Sequence, residues 1–140
     1  MNKIEGLSGV LALIFLTGLM AYVRLARDDL ARWHVEPTPA ITVPLGEVRA
    51  IAGGAVLRIS GGAEVLAGLA QAAVATPKTR LLAGSLAERR LTWVTRTGFW
   101  AFPDYTTAQI LSDGSVAVWA RQRYGRKDLG VNAARLAAWK

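Results

Sequence analysis

From Leu7 to Val23 the sequence reads LSGVLALIFLTGLMAYV, an apolar run without a charged side chain. As a helix rising 1.5 Å per residue, it reaches about 25 Å, the lower end of a bilayer's hydrocarbon core. The run is apolar on every face, whereas a surface helix of a soluble domain carries a polar side. A cleaved leader would end in a small-x-small site, and this run ends Met20-Ala21-Tyr22-Val23-Arg24. The expectation is an uncleaved single-pass span with the rest of the chain tethered to the membrane. Small residues let helices approach closely in lipid. Ser8, Ala12, Thr17, Gly18 and Ala21 are therefore the candidate packing surface for other membrane helices, with Gly9 as a further close-approach point.

Charge narrows the partners. The chain carries a net +7, and only Lys3 and Glu5 precede Arg24, so the excess belongs to the part after the span. Such an excess favours anionic lipid headgroups or an acidic protein face. The basic residues are dispersed, mostly arginine, and form no recognisable nucleic-acid motif, so nucleic acid is not an expected partner. The absence of cysteine excludes disulfides, thiol catalysis and thiolate metal sites. Arg24, Arg27 and Arg32 outnumber Lys3 at the flanks of the span, which leans the domain toward the cytoplasm.

The remainder is of single-domain size. Residues 1–33 read as the anchor helix with a juxtamembrane extension from Arg24 to Trp33. Residues 34–46, with prolines at 37, 39 and 44, read as an extended linker, and residues 47–140 as the folded domain. A strand pair is expected between Glu47 and Ser60, turning at Gly53-Gly54. Ala63–Ala75 reads as a helix with Val65, Leu66, Leu69 and Ala73 on one face. Four strands follow, at Thr79–Ala83, Leu91–Arg96, Tyr105–Leu111 and Val116–Arg123. Gly84-Ser85, a bend at Phe102-Pro103-Asp104, and Asp113-Gly114 separate them. Leu91 and Trp93 should share a face; Thr106, Ala108 and Ile110 another; and Val116, Val118 and Ala120 a third. A short helix, Val131–Lys140, closes the chain. The fold class is α+β: one N-terminal transmembrane helix, then a small antiparallel sheet with one or two packed helices.

No catalytic constellation is legible. There is no GxGxxG, P-loop, GxSxG or HExxH. His34 is the single histidine and is too isolated for a metal site, which wants three or more ligands; an imidazole bonded at a helix end is the expected role. Asp113 is accounted for by a hairpin turn, and Asp104 and Asp128 by turn capping or a structural pair with arginine. No cofactor or metal is expected. The densest basic group is Arg121, Arg123, Arg126 and Lys127. Alternation puts Arg121 and Arg123 on one strand face with Trp119, a combination able to hold phosphate or dock an acidic partner.

Several segments resemble a known family. TPKTRLLAGS at 76–85, LTWVTR at 91–96, GFWAFPDY at 98–105 and DLGVN at 128–132 are similar to family 1499 of the domains of unknown function. The resemblance runs from Glu47 to Lys140, and ARWHV at 31–35 resembles its membrane-anchored bacterial members. Where the family commonly reads YSDLGVN, this chain has Arg126-Lys127 before Asp128. The resemblance implies an α+β domain without an established activity. Export signals in the family tilt the domain toward the periplasm, against the count of flanking charges. It also implies that Asp104 and Asp128 tie the bend and last helix to the sheet.

Together these readings lead to a non-catalytic accessory subunit of a larger bacterial inner-membrane complex, such as one of a respiratory or photosynthetic electron-transport chain. Its partners would be integral-membrane subunits and phospholipid. The alternatives are a tethered domain binding an anionic lipid or small ligand through Trp119, Arg121 and Arg123, and a hydrolase or isomerase using His34 or Asp104.

Overall fold

A computed structural model describes residues 3–140. The apolar run is helix α1, Lys3–Leu25. Its stretch from Ile4 to Leu25 is long and apolar enough to cross a membrane, and only 6% of its most apolar window is buried against the rest of the chain. Among its described residues Val23 is the buried one, and it packs at the junction with the domain.

The expected continuous extension to Trp33 is interrupted. The chain leaves the helix after Leu25 and turns again only in α2, Leu30–Trp33. Asp29 caps α2 by accepting from the Ala31 amide at 3.0 Å. Asp28 is drawn inward instead: it accepts from the Tyr105 hydroxyl and pairs with Arg80 at 2.7 Å. These tertiary bonds replace the helical turn that propensity alone would continue.

The expected linker is also a packed segment. Pro37 is buried, and a 3₁₀ turn at Thr38–Ala40 presses Ala40 into a cluster with Val56 and Ala117, flanked by Ile41, Val43, Leu111 and Trp119. Three prolines do not make a free tether when apolar side chains among them have a sheet face to cover.

The sheet has six antiparallel strands in the order β1-β2-β6-β5-β4-β3. They are β1 Arg49–Ile51, β2 Gly54–Ser60, β3 Thr79–Ser85, β4 Arg90–Thr97, β5 Phe102–Ile110 and β6 Ser115–Gln122. Helix α3, Gly62–Ala75, joins β2 to β3, and α4, Val131–Trp139, ends the chain. Both helices cover one face, where Leu66, Leu69, Leu136 and Trp139 pack on Leu57, Leu91, Trp93, Ala108, Val116 and Val118. The opposite face is closed by the 33–43 segment, so the alternation along each strand sorts residues between two buried surfaces rather than between core and solvent.

Three turns differ from the expected positions. Gly54 begins β2, leaving Ala52-Gly53 as the turn. The 102–104 bend lies inside β5, and the chain reverses at 98–101. Gly84-Ser85 belongs to β3, which shifts register between Leu81 and Ala83, so its hairpin turns at 86–89. Gly84 sits at φ +90, where a Cβ would stand 2.0 Å from the Arg90 carbonyl oxygen and 2.9 Å from His34 Cε1. Glycine is required there by close approach, not by a reversal.

The register fixes which end of the sheet meets α1. Gly54, Arg121, Tyr105 and Val94 lie in one row across β2, β6, β5 and β4. Near that end, Arg96 Nη1 donates to the carbonyls of Val23 at 3.0 Å and Ala101 at 3.1 Å.

Candidate functional site

The same end of the sheet carries a cavity of about 400 Å³ lined by Arg32, Trp33, Ala52, Gly53, Trp119, Arg121, Gln122, Gly125 and Arg126. Four pieces of chain build it: the end of α2, the β1–β2 turn, the last residues of β6 and the loop after it. Gly53 forms part of the wall at φ +71, where a side chain would be strained; a Cβ there would stand 3.9 Å from both Gln122 Cγ and the Arg126 carbonyl oxygen.

Arg121 is the central group. It is only 6% exposed. Its guanidinium donates to Thr107 Oγ1 at 3.0 Å, to the Trp119 carbonyl at 3.1 Å and to the Trp33 carbonyl. It lies 4.2 Å from the centroid of Trp119 and 5.5 Å from that of Trp33. Cation–π contact in a desolvated setting contributes on the order of 2 kcal/mol. Every acceptor it has is neutral: among the described residues Arg121 joins no ion pair. Burial pulls its pKa down to about 10, which leaves it charged at neutral pH.

The surroundings add donors and no acid. Arg32 and Arg126 line the cavity, and neither forms an ion pair among the described residues. Arg32 rests over the Trp33 ring at 4.7 Å. The side-chain N–H groups of Trp33, Trp119 and Gln122 are buried without a partner among those residues. No Asp or Glu is in the wall. A wall with three guanidiniums and no carboxylate is complementary to an anion that carries several acceptor oxygens.

The expected basic group is thus divided. Trp119, Arg121 and Arg126 meet at the cavity. Lys127 lines an adjoining hollow of about 320 Å³ that also includes Arg126 and Asp128. Arg123 turns to the segment between α1 and α2, donating to the Arg27 carbonyl at 3.0 Å and the Tyr105 hydroxyl at 3.3 Å, with Asp28 at 3.9 Å. Burial and the Asp28 carboxylate push Tyr105 up to about 12. Sequence reasoning missed Arg32, Trp33 and Gly53. Trp33 enters because its ring stacks on Tyr105, with centroids 3.9 Å apart and planes 10° off parallel. The signal that was available is ARWHV itself, in which two cavity residues adjoin.

The remaining candidates have structural partners. His34 Nδ1 is 2.8 Å from Thr92 Oγ1, which is 2.9 Å from Thr107 Oγ1, so a chain of polar contacts runs from His34 to Arg121. Asp104 pairs with Arg135 of α4 at 3.3 Å, and Arg135 also donates to Asn132. Burial raises the Asp104 pKa, opposed by Arg135. Asp128 accepts the amides of Gly130 at 3.0 Å and Asn132 at 3.1 Å at the start of α4. Asp113 accepts from the Ser115 amide at 2.9 Å and from Arg58 at 2.8 Å. His34 and Asp104 face opposite sides of the sheet and do not meet. No group of three or more His, Asp or Glu suited to a metal exists among the described residues. In α1, Ser8, Ala12, Thr17, Gly18 and Ala21 are all exposed, and the hydroxyls of Ser8 and Thr17 are bonded to the carbonyls of Ile4 and Leu13.

Comparison with curated proteins gives no match. The family described as Protein of unknown function (DUF1499) matches residues 55–140, from the start of β2 through α4. The matched part contains strand β6, which carries Trp119 and Arg121, whereas Arg32, Trp33 and Gly53 lie before it. The FPDY and DLGVN segments meet in it through Asp104, Arg135 and Asn132. With more than half its length matched, the chain belongs to the DUF1499 family.

Proposed function

We propose that this protein is a membrane-tethered binding domain whose cavity takes a phosphate-bearing anion. The observation that carries this reading is Arg121: a buried guanidinium with only neutral acceptors, in a wall that adds Arg32 and Arg126 and has no carboxylate. Burying an ion costs several kcal/mol, and a charge without a counter-ion recovers least of it. A ligand phosphate would supply the missing negative charge. The cavity lies at the end of the sheet that receives α1, which supports an anionic lipid headgroup as the ligand beside a soluble phosphate compound. On this reading the domain stands at the periplasmic face of a bacterial inner membrane and performs no chemistry of its own.

The test uses the full chain in mild detergent. Native mass spectrometry reads retained phospholipid, and titration with inorganic phosphate follows tryptophan fluorescence, to which Trp33 and Trp119 report directly. Arg121→Gln together with Arg126→Gln should weaken anion binding at least about 10-fold, given that each charge-assisted contact is worth about 1.5–3 kcal/mol. Retained phospholipid lost in the double variant would assign a headgroup site; a phosphate response alone would assign a soluble ligand. Equal binding by variant and parent would remove the proposal.

A second reading, an accessory subunit of a larger membrane complex, is supported by the exposure of nearly all of α1, including the open surfaces at Gly9 and Gly18. Affinity purification from native membranes decides it: stoichiometric integral-membrane subunits would establish it, and a chain that purifies alone would end it.

A further inference from the structure

The turn between β4 and β5 reads Gly98-Phe99-Trp100-Ala101 and continues into Phe102. Phe99 is 76% exposed, Phe102 is 37% exposed, and Trp100 and Tyr124 are half-buried behind them. The rings form a connected series: Phe99 to Trp100 at 6.0 Å, Trp100 to Phe102 at 6.5 Å, and Phe102 to Tyr124 at 6.0 Å. A contiguous aromatic tip on a protein surface marks a binding face, because water solvates it poorly.

Its position identifies the occupant. Arg24, at the last turn of α1, donates through Nη2 to the Phe99 carbonyl at 3.0 Å. Arg96 ties the Val23 and Ala101 carbonyls together, as described above. The tip is thus held at the level where the apolar helix ends. Tyr22, 62% exposed, lies on that same helix end. If α1 spans the membrane, its last turn is at the headgroup layer, and the tip fixed to it is there too. Phenylalanine, tryptophan and tyrosine beside arginine is the composition that settles at a bilayer interface.

We propose that the 98–102 tip is a second membrane contact, inserting Phe99, backed by the half-buried Trp100, into the interfacial layer of the bilayer that α1 crosses. The inference rests on α1 being a span. Two contacts a short distance apart would fix the domain's tilt, and would hold the end of the sheet that bears the cavity toward the lipid.

The chain contains no cysteine, so single cysteines can be placed without background. Full-length protein carrying Phe99→Cys, Leu86→Cys or Phe15→Cys is labelled with a nitroxide and reconstituted in vesicles of phosphatidylcholine with phosphatidylglycerol. Collision with oxygen, which partitions into lipid, is compared with collision with a water-soluble nickel chelate. Leu86 is exposed in the turn at the other end of β4, about 25 Å away along an eight-residue strand, and is the aqueous reference. Phe15 reports the middle of α1. The expected result is an oxygen-to-nickel ratio at least about twofold higher at 99 than at 86. A ratio at 99 equal to that at 86, with lipid values at 15, overturns the wedge and leaves the span. Shielding from both reagents at 99 also overturns it, in favour of a protein partner. Aqueous values at 15 overturn span and wedge together.

Discussion

His34 carries a pH signature that belongs to one residue. Burial lowers its pKa below the ordinary 6.5, and the nearby Arg90 charge lowers it further. Below that ordinary value the unfolded chain binds the proton more readily than the folded one. His34 therefore contributes its full stability above about 6.5, and loses it as pH falls through the depressed folded value. Because it is the single histidine, His34→Gln should remove this dependence. The difference in thermal unfolding midpoint between parent and variant should move against the parent as pH drops from about 7.5 to about 5. A flat difference across that window would mean that Thr92 holds the ring equally well in both protonation states. Arg121 illustrates the opposite case at this scale: its charge persists, and the polar chain through Thr107 and Thr92 joins it to the residue that titrates.

At the scale of elements, α4 depends on a carboxylate outside it. Asp128 accepts two amides at the helix start, one of the few ways to satisfy donors that have no intrahelical partner. Asp128→Ala should cost about 1 kcal/mol in chemical denaturation, the usual worth of such a cap, with Asp128→Asn costing less. A loss several times larger would show that Asp128 also anchors the neighbouring hollow beside Lys127. Asp104 and Arg135 then hold the capped helix to β5, both nearly fully buried. The FPDY and DLGVN segments are thus parts of one joint, and Arg126, two residues before Asp128, lies in the cavity wall outside that joint.

On the scale of the whole molecule, α1 and the domain share a narrow neck. Val23 is the one buried hydrophobic that the helix contributes, and Arg96 to the Val23 carbonyl and Arg24 to the Phe99 carbonyl are its polar ties. Removing residues 1–25 should therefore leave the sheet folded, with a loss of about 2 kcal/mol, the scale of exposing one aliphatic side chain. Circular dichroism and amide exchange on residues 26–140 check this. Collapse of exchange protection in β4 and β5 would show instead that the neck is part of the folding unit.

The local pattern of the sequence was sufficient for much of this. A charge-free run of span length, alternating strands and an Asp-Gly turn determine their elements through short-range physics: backbone periodicity and turn stereochemistry depend on neighbours a few residues away. Hence α1, α3, α4 and the strand faces lie where the pattern puts them. Trp119 and Arg121 on one face follow from the same alternation. The tertiary structure decided what that face meets. Residues 34–46 read as a linker because prolines speak against helix and sheet, yet they close the second face, since apolar area buries wherever a surface is offered. Arg123 and Arg121 are equivalent by spacing, but Asp28, reached across 95 residues of chain, draws one to the neck while Trp33 encloses the other. Which arginine becomes a buried cation is a matter of long-range enclosure and dielectric, and no window of sequence contains that information.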